Sequence, residues 1–509
     1  MGSYELVWFK RDLRCQDHAA LTSAARMGPV RCIYVVEPKL WLEPDMALQH
    51  FEFIHESLQV LDADLRLQGA CLEIHYGALT EVLSQIWQAD PFGRLHSHEE
   101  TGNGFTYARD KQVASWCQSH KIDWMEYPQF GVVRGLKNRN LWQAAWEQHM
   151  SAPLQNPGKL NYWRYPLPPS GVMGAPAHLR HNPPQRLRGG RTLALSTLHS
   201  FLSARSLGYR GGISSPLSAP NACSRISVYL AWGCISMREV VQQTYEYLEQ
   251  LPPQASRHRA GLSAFVSRLY WHCHFIQKLE SEPAIEWRNM HSGYDGLREH
   301  DFNEAHFEAL KAGRTGWPMV DACVVMLRET GWLNFRMRAM LVSVAAYPLW
   351  LHWRPVGEWL ATQFLDYEPG IHWSQLQMQS GTTGINTTRV YNPIKQAQDH
   401  DPHGRFVRQW LPHMRQVPDV FLFEPWLMKT SLQYDGNIGL DTEIADPLVD
   451  LSQATRESKQ RLHSRRQQPE VRAGKQSVVE KHASRKRPTK RTSAKSQKSE
   501  STAQQSFDF

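Results

Sequence analysis

Five short runs of strand character, ELVWF, VRCIYVVEP, CLEIHYG, RLHSHEE and IDWMEYP, recur through the first 130 residues, separated by stretches of helical periodicity. Several are apolar along their whole length, as strands are when both faces are covered. Strand and helix in strict alternation leave little choice of fold: βαβ units build a parallel sheet flanked by helices. One of the helical stretches, HFEFIHESLQVLDADLRLQG, closes on Gly69, the usual residue at a helix C-terminus. The first strand runs into KRDLR and not into G-x-G-x-x-G, so the usual dinucleotide crevice is not expected at its end.

The alternation then stops. Residues 131–205 break into Pro, Gly and Arg clusters (NYWRYPLPPSGVMGAPAHLRHNPPQRLRGGR) and read as a connector over the surface. Residues 206–445 read as all-helical, with RISVYLAWGCISMREVVQQTYEYLEQL, SAFVSRLYWHCHFIQKLE, PMVDACVVMLRETGW and GRFVRQWLPHM as its main segments. Residues 446–509 are rich in Ser, Gln, Lys and Arg, and a disordered basic tail is expected there. The charge supports that division. From Leu451 on, 15 Lys and Arg stand against 5 Asp and Glu, a surplus of +10, which leaves the first 450 residues at about −2. The fold class expected is thus a Rossmann-like α/β domain (1–130), a connector, an all-α domain (206–445) and a basic tail.

The eight cysteines are scattered and none follows Cys323, so reduced thiols and no metal cluster are expected. No signal peptide is evident. The longest apolar run, MLVSVAAYPLWLHW (Met340–Trp353), is too short to span a bilayer and contains Pro348; it reads as a buried helix. A cytoplasmic monomer without a membrane partner is the expectation.

Four stretches carry possible chemistry. In NACSRIS, Ser224, Arg225 and Ser227 fall at a helix start, where free N–H groups, hydroxyls and a guanidinium favour an anion; a plain N-cap would look the same. FLDYEPGIHW places Asp366 and Glu368 beside a Pro-Gly turn, and Arg338 is a candidate partner if a carboxylate is buried. TGWLNFRMRAM (Thr330–Met340), read as a helix, sets Trp332, Phe335, Arg336 and Arg338 within two turns. SRLYWHCHF sets Trp271 and His272 beside Arg268 and His274, a surface suited to a stacked base and a phosphate, or a helix with one buried tryptophan. Neighbouring His272, Cys273 and His274 point apart on a helix, so no metal is expected there.

VWFKRDLRCQDHAAL, CSRIS, TGWPMVDA, GWLNFRMR, FLDYEP, VYNPIKQAQDHDPHGRFVRQWLP and FEPW occur in the order and at the intervals of the DNA photolyase and cryptochrome family, which this chain resembles from residue 5 to about 428. The resemblance implies an antenna-type α/β domain followed by a helical domain that holds FAD in a bent conformation. Tyr209 and Cys223, Ser224, Arg225, Ile226 and Ser227 would hold the FAD phosphates. Arg338 and Asp366 would pair against the isoalloxazine ring, with Tyr367 and Glu368 near it. Arg268, Trp271, His272, Phe335 and Gln396 match positions that contact DNA. Trp353 matches the middle member of the tryptophan chain that passes electrons to the flavin, and Trp373, expected in a shortened loop, lies near the place of its first.

The resemblance also has departures. Phe335 stands where dimer-splitting members usually place Asn near the flavin, with Asn334 adjacent. Arg268 and His272 replace the Glu and Arg of an ExxWR pattern. The WQW pair has no clean counterpart, and Trp287 or Phe302 would stand in for the exposed end of the electron chain. A second antenna pigment, folate or deazaflavin, finds no matched residues. The implied function is blue-light-driven repair of pyrimidine dimers in damaged DNA, a lyase reaction. The alternatives are a cryptochrome-type photoreceptor whose tail addresses a signalling partner, and a flavoprotein for which light is irrelevant.

Overall fold

The strands β1 (Glu5–Phe9) and β2 (Val30–Val36) are buried at every residue, which requires neighbours on both edges and layers on both faces. The computed structural model, which describes residues 4–164, 171, 173–385, 389–430 and 444–483, supplies both. The strands β3 (Leu72–Tyr76), β4 (Arg94–His98) and β5 (Asp123–Tyr127) complete a parallel sheet of order β3-β2-β1-β4-β5. Helices α1 (Ala19–Met27), α2 (Leu48–Gln68), α3 (Leu79–Ala89) and α4 (Gly104–His120) alternate with the strands. All five strands lie where the sequence placed them. Helix α2 ends on Gly69 at φ +97°, where a side chain would also strike the Leu160 carbonyl.

The strand order reverses between β1 and β4, and their carboxyl ends form the crevice where open α/β sheets bind ligands. Charged side chains fill most of it. Arg109 of α4 pairs with Glu37 at 3.1 Å, Glu100 at 2.6 Å and Asp110 at 2.9 Å, and its guanidinium lies 4.7 Å from the Trp8 ring. Behind them, fully buried Asp12 sits 2.7 Å from His98 and 3.0 Å from His18. Since His18 Nδ1 accepts the Leu21 N–H, its proton is on Nε2 and faces Asp12. The arrangement is that of a carboxylate hydrogen-bonded by His98 with His18 close beside it. The space left at the switch point is about 20 Å³.

Residues 131–205 depart from the expected connector. They include the helices Trp142–Ser151 and Arg191–Ser203, because Trp142, Trp146 and Met150 repeat at helical spacing and are buried.

The second half is helical: α5 (Ser227–Ala231), α6 (Met237–Gln250), α7 (Ser256–Ser281), α8 (Pro318–Thr330), α9 (Phe335–Ala346), α10 (Trp353–Gln363), α11 (Pro369–Ser380) and α12 (Pro393–His400) are its main elements. Two expected helices are broken. The long run from Arg225 splits between α5 and α6 at Gly233, whose φ of +69° and contact with the Arg11 carbonyl tolerate no Cβ. The run from Met340 ends at Ala346, before Pro348, and Trp350 at φ +53° turns the chain into α10. Gly331–Asn334 is likewise a link and not part of a helix: Gly331 at φ +65° ends α8, and Asn334 precedes α9.

The tail is the largest correction. Residues expected to be disordered form α13 (Leu451–Gln467) and α14 (Pro469–His482). Few apolar residues are needed because the surface they meet is aromatic: Leu462 and Val471 complete a small core with Tyr294, Ala346 and Tyr347. Ser458 donates to the Tyr347 carbonyl (2.5 Å), Arg465 to the Gly293 carbonyl (2.6 Å), and His482 lies 2.6 Å from Glu282. His291 Nε2 is 2.9 Å from the Val471 carbonyl, and its ring is so closely surrounded that a Cβ on Gly293, Gly384 or Gly474 would collide with it. Residues 484–509, the rest of the expected tail, lie outside the described residues.

Candidate functional site

The helical half encloses a cleft of about 320 Å³, open at one side. It is lined by α7, α9, α11, the end of α10 and the turn from Cys223 to Ser227. Each element brings its residues for a local reason. Asn334, tied by its side-chain N–H groups to the carbonyls of Ile213 (3.0 Å) and Ser214 (2.9 Å), fixes the start of α9. Pro369 at the first turn of α11 fixes the preceding Asp366–Glu368 segment against the cleft.

The ion pair anticipated from the sequence is present. Arg338 donates to both carboxylate oxygens of Asp366, at 2.9 and 3.0 Å, and its Nε donates to the Leu333 carbonyl at 2.6 Å. Ser227 adds a third donor to Asp366 at 2.7 Å. Burial pushes the Asp366 carboxyl up, yet Arg338, Ser227 and Arg225 outweigh it and hold the group below its ordinary value. The two charges thus neutralise each other in the cleft wall.

Among the described residues Arg225 has no such partner. Its guanidinium lies 3.9 Å from the Trp332 ring, its Nε is buried without a hydrogen-bond partner, and burial lowers its pKa to about 10. Arg336 Nε, His272 Nδ1 and Asn334 Oδ1 are also buried, unpartnered and on residues of the cleft lining. Buried polar atoms are rarely left so unless a ligand or water completes them. Cationic donors beside Ser224 and Ser227 suit a phosphate-bearing ligand; Trp271, Trp332, Phe335 and Phe364 supply flat apolar walls.

Two histidines face this space uncharged. Burial lowers both His272 and His372 to about 4. His372 Nε2 is 2.8 Å from the Gly357 carbonyl, which can only accept, so Nδ1 carries no proton. Glu368 lies between Arg11 of the first domain (3.2 Å) and the cleft, and burial raises it to about 7.

Most of the residues singled out from sequence meet here: Tyr209, Cys223, Ser224, Arg225, Ser227, Arg268, Trp271, His272, Phe335, Arg338, Asp366, Tyr367 and Glu368. Ile226 instead points into the hydrophobic core, and Gln396 stays on α12, away from the lining. Trp373 lies on α11 and not in a loop; it is buried, 5.9 Å from Trp353 and 4.9 Å from His372. Trp353 donates to Asn289 at 2.8 Å. Trp287, 45% exposed, borders a separate cavity of about 190 Å³ together with Trp373, whereas Phe302 packs on Phe307 at 5.4 Å. His372 is a lining residue that sequence reasoning passed over. His372 follows Glu368 by one helical turn behind the helix-starting Pro369, which is the signal that could have found it.

A parallel α/β domain joined to a helical domain with an aromatic, cationic cleft defines a flavin-binding class, and the comparisons agree. Residues 265–464 match the model described as the FAD binding domain of DNA photolyase, and residues 5–133 match the DNA photolyase model. The chain belongs to the DNA photolyase and cryptochrome family. Among its relatives are a cryptochrome DASH of Gloeobacter violaceus, 26% identical over 88% of this chain and 93% of that protein, and the deoxyribodipyrimidine photo-lyase of Escherichia coli, 25% identical over 88% and 96%. A bacterial class III photolyase from Agrobacterium tumefaciens shares the fold with a TM-score of 0.78 at 20% identity, over 92% of this chain and 98% of that one. Among the described residues no helix is long and apolar enough to cross a membrane.

Proposed function

We propose that this chain is a blue-light-driven DNA repair enzyme that splits ultraviolet-induced pyrimidine dimers, with FAD as its cofactor. The observation that carries the reading is the cleft itself, where a neutralised Arg338–Asp366 pair lies beside Arg225, a buried guanidinium whose Nε awaits a partner. The fit to FAD is good in kind. Arg225, Ser224 and Ser227 would take the diphosphate, Tyr209 and Cys223 would flank it, and Arg338 with Asp366 would face the ring. Bound and reduced, FAD supplies the light-absorbing electron donor.

The chain's own residues do the rest. Arg268 and Trp271, on the α7 side of the cleft, would hold a strand whose damaged bases have been turned out of the helix, one by charge and one by stacking. Phe335 and Phe364 keep water from the interior, and neutral His272 and His372 offer acceptors without adding charge. Trp373 and Trp353 form a buried aromatic pair leading away from His372, suited to electron relay. The switch-point crevice, at about 20 Å³, is not where a second pigment would sit.

The test is direct. The purified protein should show flavin absorption and, once reduced and lit with blue light, restore oligonucleotides carrying cyclobutane or (6-4) dimers. A flavin-loaded protein that restores neither would move the reading to a cryptochrome-type photoreceptor. The docked α13–α14 hairpin favours that second reading, as an element light could release to a signalling partner.

A further inference from the structure

Glu368 borders two cavities at once: the large cleft and the small crevice at the sheet's switch point. The crevice is a place for water. Its 20 Å³ accommodates at least one molecule, and Gln129 Oε1, on its wall, is buried without a protein partner. Its rim residues Glu99, Glu100 and Thr101 are half-buried, so the crevice communicates with solvent. The same carboxyl group therefore has water behind it and the cofactor cleft in front.

We propose that Glu368 is the proton-exchange residue of the cleft, passing protons between crevice water and the cleft's occupant. The inference rests on the flavin reading above and adds a route to it. DNA seated over the mouth of the cleft would cut off its direct contact with solvent, leaving the crevice as the way in. The carboxyl O–H breaks and the proton passes to an acceptor in the cleft. The carboxylate left behind is held by Arg11, 3.2 Å away. A proton from crevice water then re-forms the O–H, and the rim restores that water from bulk. One proton has moved inward, no electrons have been exchanged, and Glu368 is unchanged.

The surroundings keep the group able to do this. Burial and Glu100, beyond β4, favour the protonated form; Arg11, beyond β1, and the Gly370 N–H favour the ionised one. From α7, Cys273, with its thiol raised to about 12, and His272, lowered to about 4, are both uncharged near neutrality. Asp366 is occupied by Arg338, and Lys10 by Asp110. The balance leaves Glu368 titrating at about 7.

The experiment follows flavin absorption and a pH-indicator dye together during photoreduction of the loaded protein with a DNA duplex bound, from about pH 5 to 9. In the wild type, proton uptake should accompany reduction and slow as the pH rises through neutrality. Glu368→Gln should take up flavin and electrons normally but protons about 100-fold more slowly. Gln129→Leu, which removes the water's partner and leaves Glu368 intact, should slow uptake several-fold. In flavin-free protein, infrared titration should show a protonated carboxyl near neutral pH that exchanges rapidly in heavy water and is missing in Glu368→Gln. Unchanged proton uptake in loaded Glu368→Gln, or in Gln129→Leu should the first variant not fold, overturns the proposal. If the wild type takes up no flavin, it is the cofactor reading that fails. The infrared band then decides the role of Glu368 alone, its absence or slow exchange counting against it.

Discussion

The crevice at the switch point and the cleft among the helices are neighbours, separated by Glu368, and both are rich in charge. In the crevice Arg109 finds three carboxylates and Asp12 finds two imidazoles. In the cleft only Arg338 and Asp366 complete each other, while Arg225, Arg336, His272 and Asn334 each keep a buried polar atom unpartnered among the described residues. A buried charge without a partner is destabilising by several kcal/mol unless something binds it. The first region has spent most of its charged groups on itself, leaving Gln129 Oε1 for water, and the second has held more of them in reserve for a ligand. This difference, more than size, separates a filled crevice from a working one.

The comparison can be broken most severely at Asp366. Asp366→Ala leaves Arg338 and Arg225 together in the cleft without the carboxylate, so the protein should purify almost free of flavin, with occupancy down at least about 10-fold. Absorption after purification reads this, and full occupancy would contradict the assignment. Arg109→Met is the matching change in the crevice. It strands Glu37 and Glu100, leaves Asp110 with Lys10 alone, and should cost about 3–5 kcal/mol in denaturant unfolding, while flavin per folded molecule stays at the wild-type level.

The smallest effect concerns pH. Burial raises Glu286 to about 8 and Glu368 to about 7, both above the ordinary carboxyl value of 4.5. The folded chain therefore binds more protons than the unfolded one between those limits, and their contribution to stability falls as the pH rises from about 4.5 to 8. Glu286→Gln should flatten the decline of Tm over that window; a slope identical to wild type would count against the raised value.

The sheet was legible because strands buried on both faces, β1 and β2, leave an unbroken apolar signature, and five strand runs in all alternated with helices. The Arg338–Asp366 pair was legible from the residues as one candidate pairing and was singled out by the family resemblance, since its members lie 28 residues apart and nothing local joins them. Spacing failed where one residue's backbone conformation decides the path. Gly233 and Trp350 break runs that hydropathy reads as continuous. Composition failed at the tail for a different reason. Residues 451–482 are poor in apolar side chains, but Leu462 and Val471 dock on aromatic surface contributed by Tyr294 and Tyr347, far away in sequence. What a segment can bury depends on what it meets, and that is not written in the segment. His372 was overlooked because its signal, a position one helical turn after Glu368, depends on reading Pro369 as the start of a helix and not as part of a turn.

His291 ties two remote lengths of chain to its own. Gly293, Gly384 and Gly474, from a loop, the segment after α11 and the last helix, all press on its ring. The imidazole works like an axle through three hinges: a displacement that begins in the last helix is felt, without any intervening lever, where the chain leaves the wall of the cofactor chamber.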